Sequence, residues 1–179
     1  MEADNVNTGL VTHDRDLEQI LALQQRNLRF SQDGFVTVNH TLEILQAFHT
    51  LMPSVVARHQ GNVIGYALSM PCETRQLVPV LHPMFDRLGG LALLSGQRWY
   101  VMGQICIDRA WRGRGLVGHL YATHRACYAD RFDWLVTEIA QRNPRSLTAH
   151  QRVGFTEIDH YSDATDEWSV VGLKLNDTR

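Results

Sequence analysis

The chain has 179 residues, of which 44% are hydrophobic and 20% are charged, as in an ordinary globular protein, so disorder over most of its length is excluded. The net charge of -2 argues against a protein that holds nucleic acid or an anionic membrane by bulk charge. No transmembrane segment, signal peptide or metal-binding spacing is evident, and the odd number of cysteines favours a reduced, cytoplasmic protein. We therefore expect one domain over residues 1–179.

Strands and helices alternate along the chain. In the first half, apolar periodicity and turn residues predict a strand at 6–12, helices at 14–28 and 41–51 around a loop at 29–40, and a hairpin formed by 54–59 and 63–70. Residues 71–98 hold three of the five prolines and are expected to form a variable insertion of loops with a short helix near 80–88. In the second half, the same signals predict a strand at 99–107, a helix at 113–130, a strand at 132–140, a helix at 143–153, and a strand pair at 155–161 and 167–175. This order predicts an α/β fold with a mixed sheet.

The strongest chemical pattern is a glycine-rich turn that follows a strand and opens a helix. Its sequence is Arg112-Gly113-Arg114-Gly115-Leu116-Val117-Gly118. Glycines let the backbone approach a ligand closely, and the unpaired amides at a helix N-terminus favour an anion. The pattern therefore predicts a phosphate or pyrophosphate site, whereas the simpler interpretation is a tight connection with solvated arginines. The three glycines also match the dinucleotide-binding spacing, which leaves a nucleotide-binding protein as an alternative.

A second block begins about 25 residues later, with Asn143-Pro144-Arg145-Ser146 at a predicted helix start and His150 and Gly154-Phe155 near its end. Together the two blocks resemble the signature motifs of the GNAT superfamily of acetyl-CoA-dependent N-acetyltransferases. The resemblance covers residues 6–175 and implies a central mixed sheet of six to seven strands flanked by about four helices. Three positions depart from the family pattern: Val117 stands where the family has Gly or Ala, Arg109 where it often has proline, and His150 where it usually has a catalytic tyrosine.

The resemblance also implies how acetyl-CoA would be bound. The backbone of the strand before the turn would bond the pantetheine arm, through Ile105, Cys106 and Ile107. The amides of the turn would hold the pyrophosphate, through Arg112, Gly113, Arg114, Gly115, Leu116, Val117 and Gly118. Asn143 and Ser146 would contact the pantetheine or its thiol end.

The catalytic groups are less strongly indicated by the sequence. Aminolysis of a thioester needs a base for the amine and a proton for the departing thiolate. His150 is the first candidate for the proton donor, and its alternative role is a helix histidine that packs on Phe155. Glu138 is the leading candidate for the base, since burial in a largely apolar strand would raise its pKa, and the alternative is an exposed strand position. Gln104 stands where many family members have a glutamate and could hold a water.

The expected function is acetyl transfer from acetyl-CoA to a primary amine by direct attack in a ternary complex, without a metal. The acceptor would be a small molecule or a peptide, and a homodimer is possible. A covalent acetyl intermediate on Cys106 is a further alternative, although no base adjoins it in the sequence and a small buried cysteine is commoner. A CoA-binding sensor without catalysis is the main alternative, because fold does not fix function.

Overall fold

The computed structural model describes residues 5–28 and 38–176, so most of the predicted loop at 29–40 lies outside the described residues. The strands are β1 (Val6–Leu10), β2 (Val55–His59), β3 (Asn62–Met70), β4 (Trp99–Ile107), β5 (Trp134–Ala140), β6 (Thr156–Ser162) and β7 (Glu167–Lys174). The helices are α1 (Asp14–Leu28), α2 (Leu42–Leu51), α3 (His82–Gly89), α4 (Leu116–Tyr128) and α5 (Pro144–Val153). None of the helices in this part of the chain is both long and apolar enough to cross a membrane.

The strands form one mixed sheet, which confirms the predicted fold class. Their order is β1-β2-β3-β4-β5-β7-β6. The pair formed by β4 and β5 is parallel and involves Trp99–Val101 with Trp134–Val136, and β4 then runs on for six more residues to Ile107. The β1–β2, β2–β3, β5–β7 and β6–β7 pairs are antiparallel, and two of them, β2–β3 and β6–β7, are the predicted hairpins.

The chain divides into two compact units. The first comprises Met1–Ser69 and Gly103–Thr123, and the second comprises Met70–Met102 and His124–Arg179. The first unit buries the apolar faces of α1 and α2 together with side chains of β2 and β3, including Ile20, Leu23, Phe48, Val56 and Tyr66. The second unit buries apolar side chains of α3, β5 and β7, including Leu88, Leu135, Val136, Val170 and Leu173. The buried residues of the helices follow the helical periodicity, whereas β3 and β5 are buried at nearly every position and therefore on both faces.

One helix boundary differs clearly from its prediction. Helix α4 begins at Leu116 rather than at residue 113, and it ends at Tyr128. Gly113 and Gly115 both have φ of 77°, in the left-handed region, so neither residue can belong to a right-handed helix. The first two glycines of the motif therefore shape the turn that precedes the helix.

Helix α5 matches its prediction at both ends. The side chain of Asn143 accepts a hydrogen bond from the Ser146 amide, Pro144 occupies the first turn, and Gly154 ends the helix with φ of 108°. Such end signals are local, which is why the sequence specifies this helix well. The predicted helix near 80–88 is also present, as α3, with short 3₁₀ turns on either side of it.

Candidate functional site

The glycine-rich turn of the first unit has the geometry of an anion-binding helix start. The His119 amide bonds back to the Gly115 carbonyl at 3.3 Å, so the amides of Leu116, Val117 and Gly118 precede the regular helical bonding. A Cβ atom added at Gly113, Gly115 or Gly118 would meet no atom of the described chain within 4 Å. Amides that precede the helical bonding, with open space at the positive end of the helix, fit a bound phosphate or pyrophosphate.

The side chain of Arg112 has a structural task in this turn. Its Nε donates to the Ile107 carbonyl at 3.1 Å and its second guanidinium nitrogen donates to Asn27 Oδ1 at 2.5 Å. Asn27 is buried in α1 and its own amide nitrogen donates to the Leu23 carbonyl at 2.8 Å. The Arg112 guanidinium, which the motif places beside the predicted anion site, is therefore hydrogen-bonded to protein oxygens. Nothing in the sequence marks Asn27 as the partner, because the contact joins residues 85 positions apart.

Arg114 and Asp108 complete the surroundings of the turn. The Arg114 guanidinium lies 4.7 Å from the centre of the Trp111 ring, and the His59 ring lies 4.6 Å from that of Trp111. The Asp108 carboxylate accepts the Ala110 amide at 3.0 Å and pairs with Arg26 at 3.2 Å. The turn before α4 is thus fixed by the side-chain contacts of Trp111 and Asp108, which preorganises the amides that follow.

Gln104 on β4 is held at both ends of its amide. Its Oε1 accepts the Tyr66 hydroxyl at 2.5 Å and its Nε2 donates to the Val38 carbonyl at 2.8 Å. Both Gln104 and Tyr66 are buried. A glutamate at this position could not donate to a carbonyl, so the amide is the group that this arrangement requires. The bond to Val38 connects the Gln104 amide to the segment that precedes α2. The role of Gln104 in holding a water stays a prediction.

The three cysteines are unpaired thiols with raised pKa values. Burial raises the pKa of Cys106 to about 11 and also raises that of Cys127. Burial of the thiol, followed by the charge of Glu73, raises the pKa of Cys72, although that residue is exposed as a whole. Because the thiolate is the nucleophile, Cys106 is poorly suited to form an acetyl intermediate. No group of three His, Cys, Asp or Glu residues is placed to hold a metal ion within residues 5–28 and 38–176.

In the second unit, Asn143, Ser146 and His150 lie along α5. The Nδ1 atom of His150 lies 2.8 Å from the Ser146 carbonyl and 3.4 Å from the Ser146 hydroxyl. The His150 ring meets the Phe155 ring edge-on at 5.0 Å, and the residue is only 2% exposed. A carbonyl can only accept, so Nδ1 carries the proton in the neutral ring.

The burial of His150 has a consequence for its charge. Burial lowers its pKa to about 4, although the bond to the Ser146 carbonyl opposes that effect. At neutral pH the ring is therefore uncharged, with its single proton directed at a backbone oxygen. This geometry favours the interpretation of His150 as a core residue, and its role as a proton donor stays a prediction.

Glu138 on β5 is half-buried and has a specific partner. The Tyr161 hydroxyl donates to Glu138 Oε2 at 2.5 Å. Burial raises the pKa of Glu138, the Tyr161 bond lowers it, the charge of Asp163 raises it and the charge of Arg87 lowers it. A carboxylate with a raised pKa accepts protons nearer to neutral pH, as a general base requires. The sequence pointed to Glu138, whereas Tyr161 and Arg87 come from distant segments and were missed.

No protein-family model matches the chain, and no curated protein matches it. Several solved structures do share its fold over almost the whole length. An N-acetyltransferase from Staphylococcus aureus is 19% identical with a TM-score of 0.67, and the match covers 96% of this chain and 99% of that one. YncA from Salmonella typhimurium, solved with its cofactor acetyl-CoA, is 14% identical with a TM-score of 0.67, over 96% of this chain and 95% of that one. A ribosomal-protein-alanine N-acetyltransferase from Escherichia coli is 12% identical with a TM-score of 0.65, over 95% of this chain and 94% of that one.

Identities this low carry information about architecture rather than about substrate. The solved structures that match include one described as an acetyltransferase of the GNAT family, from Desulfovibrio desulfuricans. The agreement over almost the whole of both chains is an agreement of fold. The chain therefore has the fold of the GNAT acetyltransferases.

Proposed function

We propose that the chain is an N-acetyltransferase that transfers the acetyl group of acetyl-CoA to a primary amine. The observation that carries the proposal is the turn before α4, where left-handed Gly113 and Gly115 lead into unpaired helix amides. A structural neighbour solved with acetyl-CoA supports the same ligand. We assign the whole chain to a single catalytic domain, in which residues 71–98 are a variable segment.

In the first unit, the residues that would hold the cofactor are the turn and the end of β4. The amides from Gly113 to Gly118 would bind the pyrophosphate, with the helix dipole favouring its negative charge, whereas the Arg112 amide already donates to the Arg109 carbonyl at 3.4 Å. The backbone of Ile105, Cys106 and Ile107 would bond the pantetheine arm as a strand does, in the part of β4 beyond its pairing with β5. Arg112 would act through the shape of the turn rather than through direct contact.

In the second unit, Glu138 would act as the base. The bound acetyl-CoA supplies an acetyl thioester. Glu138 would take one proton from the ammonium form of the amine, and the neutral nitrogen would then form a bond to the acetyl carbon. As the carbon–sulfur bond breaks, a second proton from that nitrogen would pass to the departing thiolate, which leaves as the CoA thiol. The raised pKa of Glu138 supports this role, because a stronger carboxylate base removes an ammonium proton more readily.

The proposed roles of the α5 residues follow from the hydrogen-bonding groups that are not used in capping the helix. Asn143 Oδ1 caps the helix, so its Nδ2 would be the group that donates to the pantetheine. The Ser146 hydroxyl would contact the thiol end. For His150, the neutral ring supports a packing role beneath these two residues more than a proton-donating one.

The acceptor would be a primary amine on a small molecule or at a peptide end. One structural neighbour acetylates an alanine of a ribosomal protein and another is described as a phosphinothricin N-acetyltransferase, so this fold serves both classes. A cytoplasmic location suits three unpaired thiols, and a homodimer would be compatible with the exposed surface of residues 71–98.

The proposal is tested first by thermal unfolding with acetyl-CoA, CoA and NAD in parallel. A ligand at about 100 times its Kd adds about 2.7 kcal/mol of stability, which raises Tm by several degrees. We expect a rise with acetyl-CoA and CoA and none with NAD, followed by amine-dependent release of CoA thiol. A larger rise with NAD would overturn the proposal in favour of a dinucleotide. Binding of CoA without turnover on any amine would instead support a CoA sensor.

A further inference from the structure

We propose that Tyr161 and Arg87 are positioning residues for Glu138: Tyr161 fixes one carboxylate oxygen through its hydroxyl proton, and Arg87 fixes the Tyr161 ring. The inference rests on the proposed function, in which Glu138 is the base. It assigns a role in the reaction to the segment at residues 71–98, from which Arg87 comes. The contacts that carry it all lie within the second unit.

The sheet register places Glu138 and Tyr161 on one face. Glu138 on β5 is opposite Val170 on β7, and Tyr161 on β6 is opposite Trp168 on β7. Val170 and Trp168 are two residues apart in one strand, so their side chains share a face, as do those of their partners. The 2.5 Å bond from the Tyr161 hydroxyl to Glu138 Oε2 therefore crosses over β7 between two strands that do not pair with each other.

Arg87 on α3 lies over the Tyr161 ring, and two hydrogen bonds hold its guanidinium there. Its guanidinium carbon lies 4.4 Å from the centre of that ring. Its Nε donates to Asp159 at 2.6 Å, and another of its nitrogens donates to the His160 carbonyl at 3.1 Å. A planar guanidinium that stacks on a ring while bonding a carboxylate and a carbonyl has little freedom to rotate.

These contacts determine what the carboxylate can do. An ionised carboxylate only accepts, so the Tyr161 hydroxyl must be the donor, and Tyr161 retains its proton because burial and the adjacent Glu138 raise its own pKa. Oε2 is then occupied and Oε1 is the oxygen to which an amine proton can move. The bond and the charge of Arg87 also counter the rise in the pKa of Glu138 that burial and Asp163 produce. The pair thus keeps the base ionised and in one orientation.

The test uses a readout that does not depend on turnover. We would follow the titration of the Glu138 carboxyl by NMR of protein labelled in glutamate side chains, with Glu138→Gln to assign the signal. Tyr161→Phe removes one oxygen and keeps the ring that Arg87 contacts. A hydrogen bond to a charged group corresponds to a shift of about one pKa unit or more, so we expect the Glu138 midpoint to rise by about that amount.

Two arginine variants separate a specific contact from a general charge effect. Arg87→Gln should also raise the midpoint, because it removes the cation and releases the Tyr161 ring. Arg75→Gln is the matched control, because Arg75 lies in the same segment and pairs with Asp86 at 2.6 Å but has no recorded contact with Tyr161 or Glu138 among the described residues. We expect no change of the midpoint in that control.

The kinetic measurement then connects the titration to catalysis. In the pH profile of kcat/KM for the amine, the acidic limb should move upward in Tyr161→Phe together with the NMR midpoint. An unchanged Glu138 midpoint in Tyr161→Phe would overturn the inference, even if activity fell. If the unaltered protein acetylates no amine, the proposed function fails, while the titration still decides whether Tyr161 sets the ionisation of Glu138.

Discussion

The guanidinium of Arg112 joins the glycine-rich turn to helix α1, through a hydrogen bond of 2.5 Å to the side-chain oxygen of buried Asn27. A second bond, to the Ile107 carbonyl at 3.1 Å, fixes the same guanidinium against the end of β4. The turn is therefore anchored by an arginine whose place in the motif would suggest a ligand contact. This relationship explains how open backbone amides can keep one conformation before a ligand binds.

Replacing Arg112 by lysine should destabilise the fold. Lysine cannot reproduce the fork that bonds two oxygens, so one of them loses its partner, at a cost of about 1–3 kcal/mol. Urea unfolding measures the loss. Arg114→Lys is the control, since its exposed cation–ring contact contributes only about 0.5–1 kcal/mol. Equal losses in the two variants would contradict the anchoring role.

Alanine at Gly113 or Gly115 should weaken CoA binding. Both glycines have φ of 77°, which an alanine adopts only at a cost of about 1–2 kcal/mol, so the turn would relax and misplace its amides. Gly118→Ala is the matched control: it lies inside α4, its added Cβ meets no described atom within 4 Å, and it retains its amide. Calorimetric titration with CoA should show weaker binding for the first two variants and near-normal binding for the third. A similar loss in all three would mean that bulk, rather than backbone conformation, disturbs the site.

Glu138→Gln should reduce acetyl transfer without loss of CoA affinity. A positioned base contributes about 10²- to 10⁴-fold, so kcat/KM should fall within that range. The acidic limb of the pH profile should disappear, because no carboxylate remains to titrate. The limb lies above the usual range for a glutamate, since burial raises the pKa of Glu138. Unchanged kinetics would remove Glu138 from the mechanism.

His150→Phe separates the two roles considered for that histidine. If His150 packs against Phe155, the variant should keep kcat and change the free energy of unfolding by about 1 kcal/mol, because a buried polar contact is altered while an aromatic ring still fills the site. A proton donor would instead lose about 10² or more in kcat at unchanged CoA affinity. Single-turnover kinetics and urea unfolding on the same preparation distinguish these results, and we expect the first.

The protein should lose stability as the pH falls from about 6.5 to about 4. Burial lowers the pKa of both His40 and His150 to about 4, so the unfolded chain takes up protons near pH 6.5 while the folded chain does not. Each histidine then costs on the order of 3 kcal/mol once the pH reaches 4, and below that value the loss levels off. The contribution of the two neutral histidines to the free energy of unfolding is fully present above pH 6.5.

Urea unfolding across that pH range provides the measurement. His40→Phe should flatten the slope, because the Nε2 atom of His40 has no hydrogen-bond partner within residues 5–28 and 38–176 and its ring already packs on Phe48. His119→Gln is the control, since that side chain is exposed. A slope unaffected by His40→Phe would assign the acid sensitivity to other groups.

The features that could be predicted from the sequence are those that residues close together in the chain determine. The N-cap at Asn143, the proline after it and Gly154 at the end specify α5 with local signals, and the structure agrees. The glycine-rich turn was equally clear as a motif. Its helix was expected three residues too early, because a sequence pattern does not reveal that Gly113 and Gly115 have positive φ.

What could not be predicted depends on contacts between distant segments. Arg112 reaches Asn27 across 85 residues, and Arg87 reaches Asp159 across 72. The ionisation of His150 likewise depends on how deeply the fold buries it rather than on its neighbours in sequence. Residue types can nominate a base such as Glu138, but only packing determines which oxygen of its carboxylate is occupied.

The environments of the three cysteines have a practical consequence for an assay. Burial raises the pKa of Cys106 to about 11, so at mildly alkaline pH that thiol is largely protonated and reacts slowly with disulfide reagents. The thiol of released CoA is small and solvated and reacts freely. A colorimetric disulfide reagent can therefore follow turnover continuously in the presence of the protein, with a blank that contains the protein alone to account for the more accessible thiols of Cys72 and Cys127.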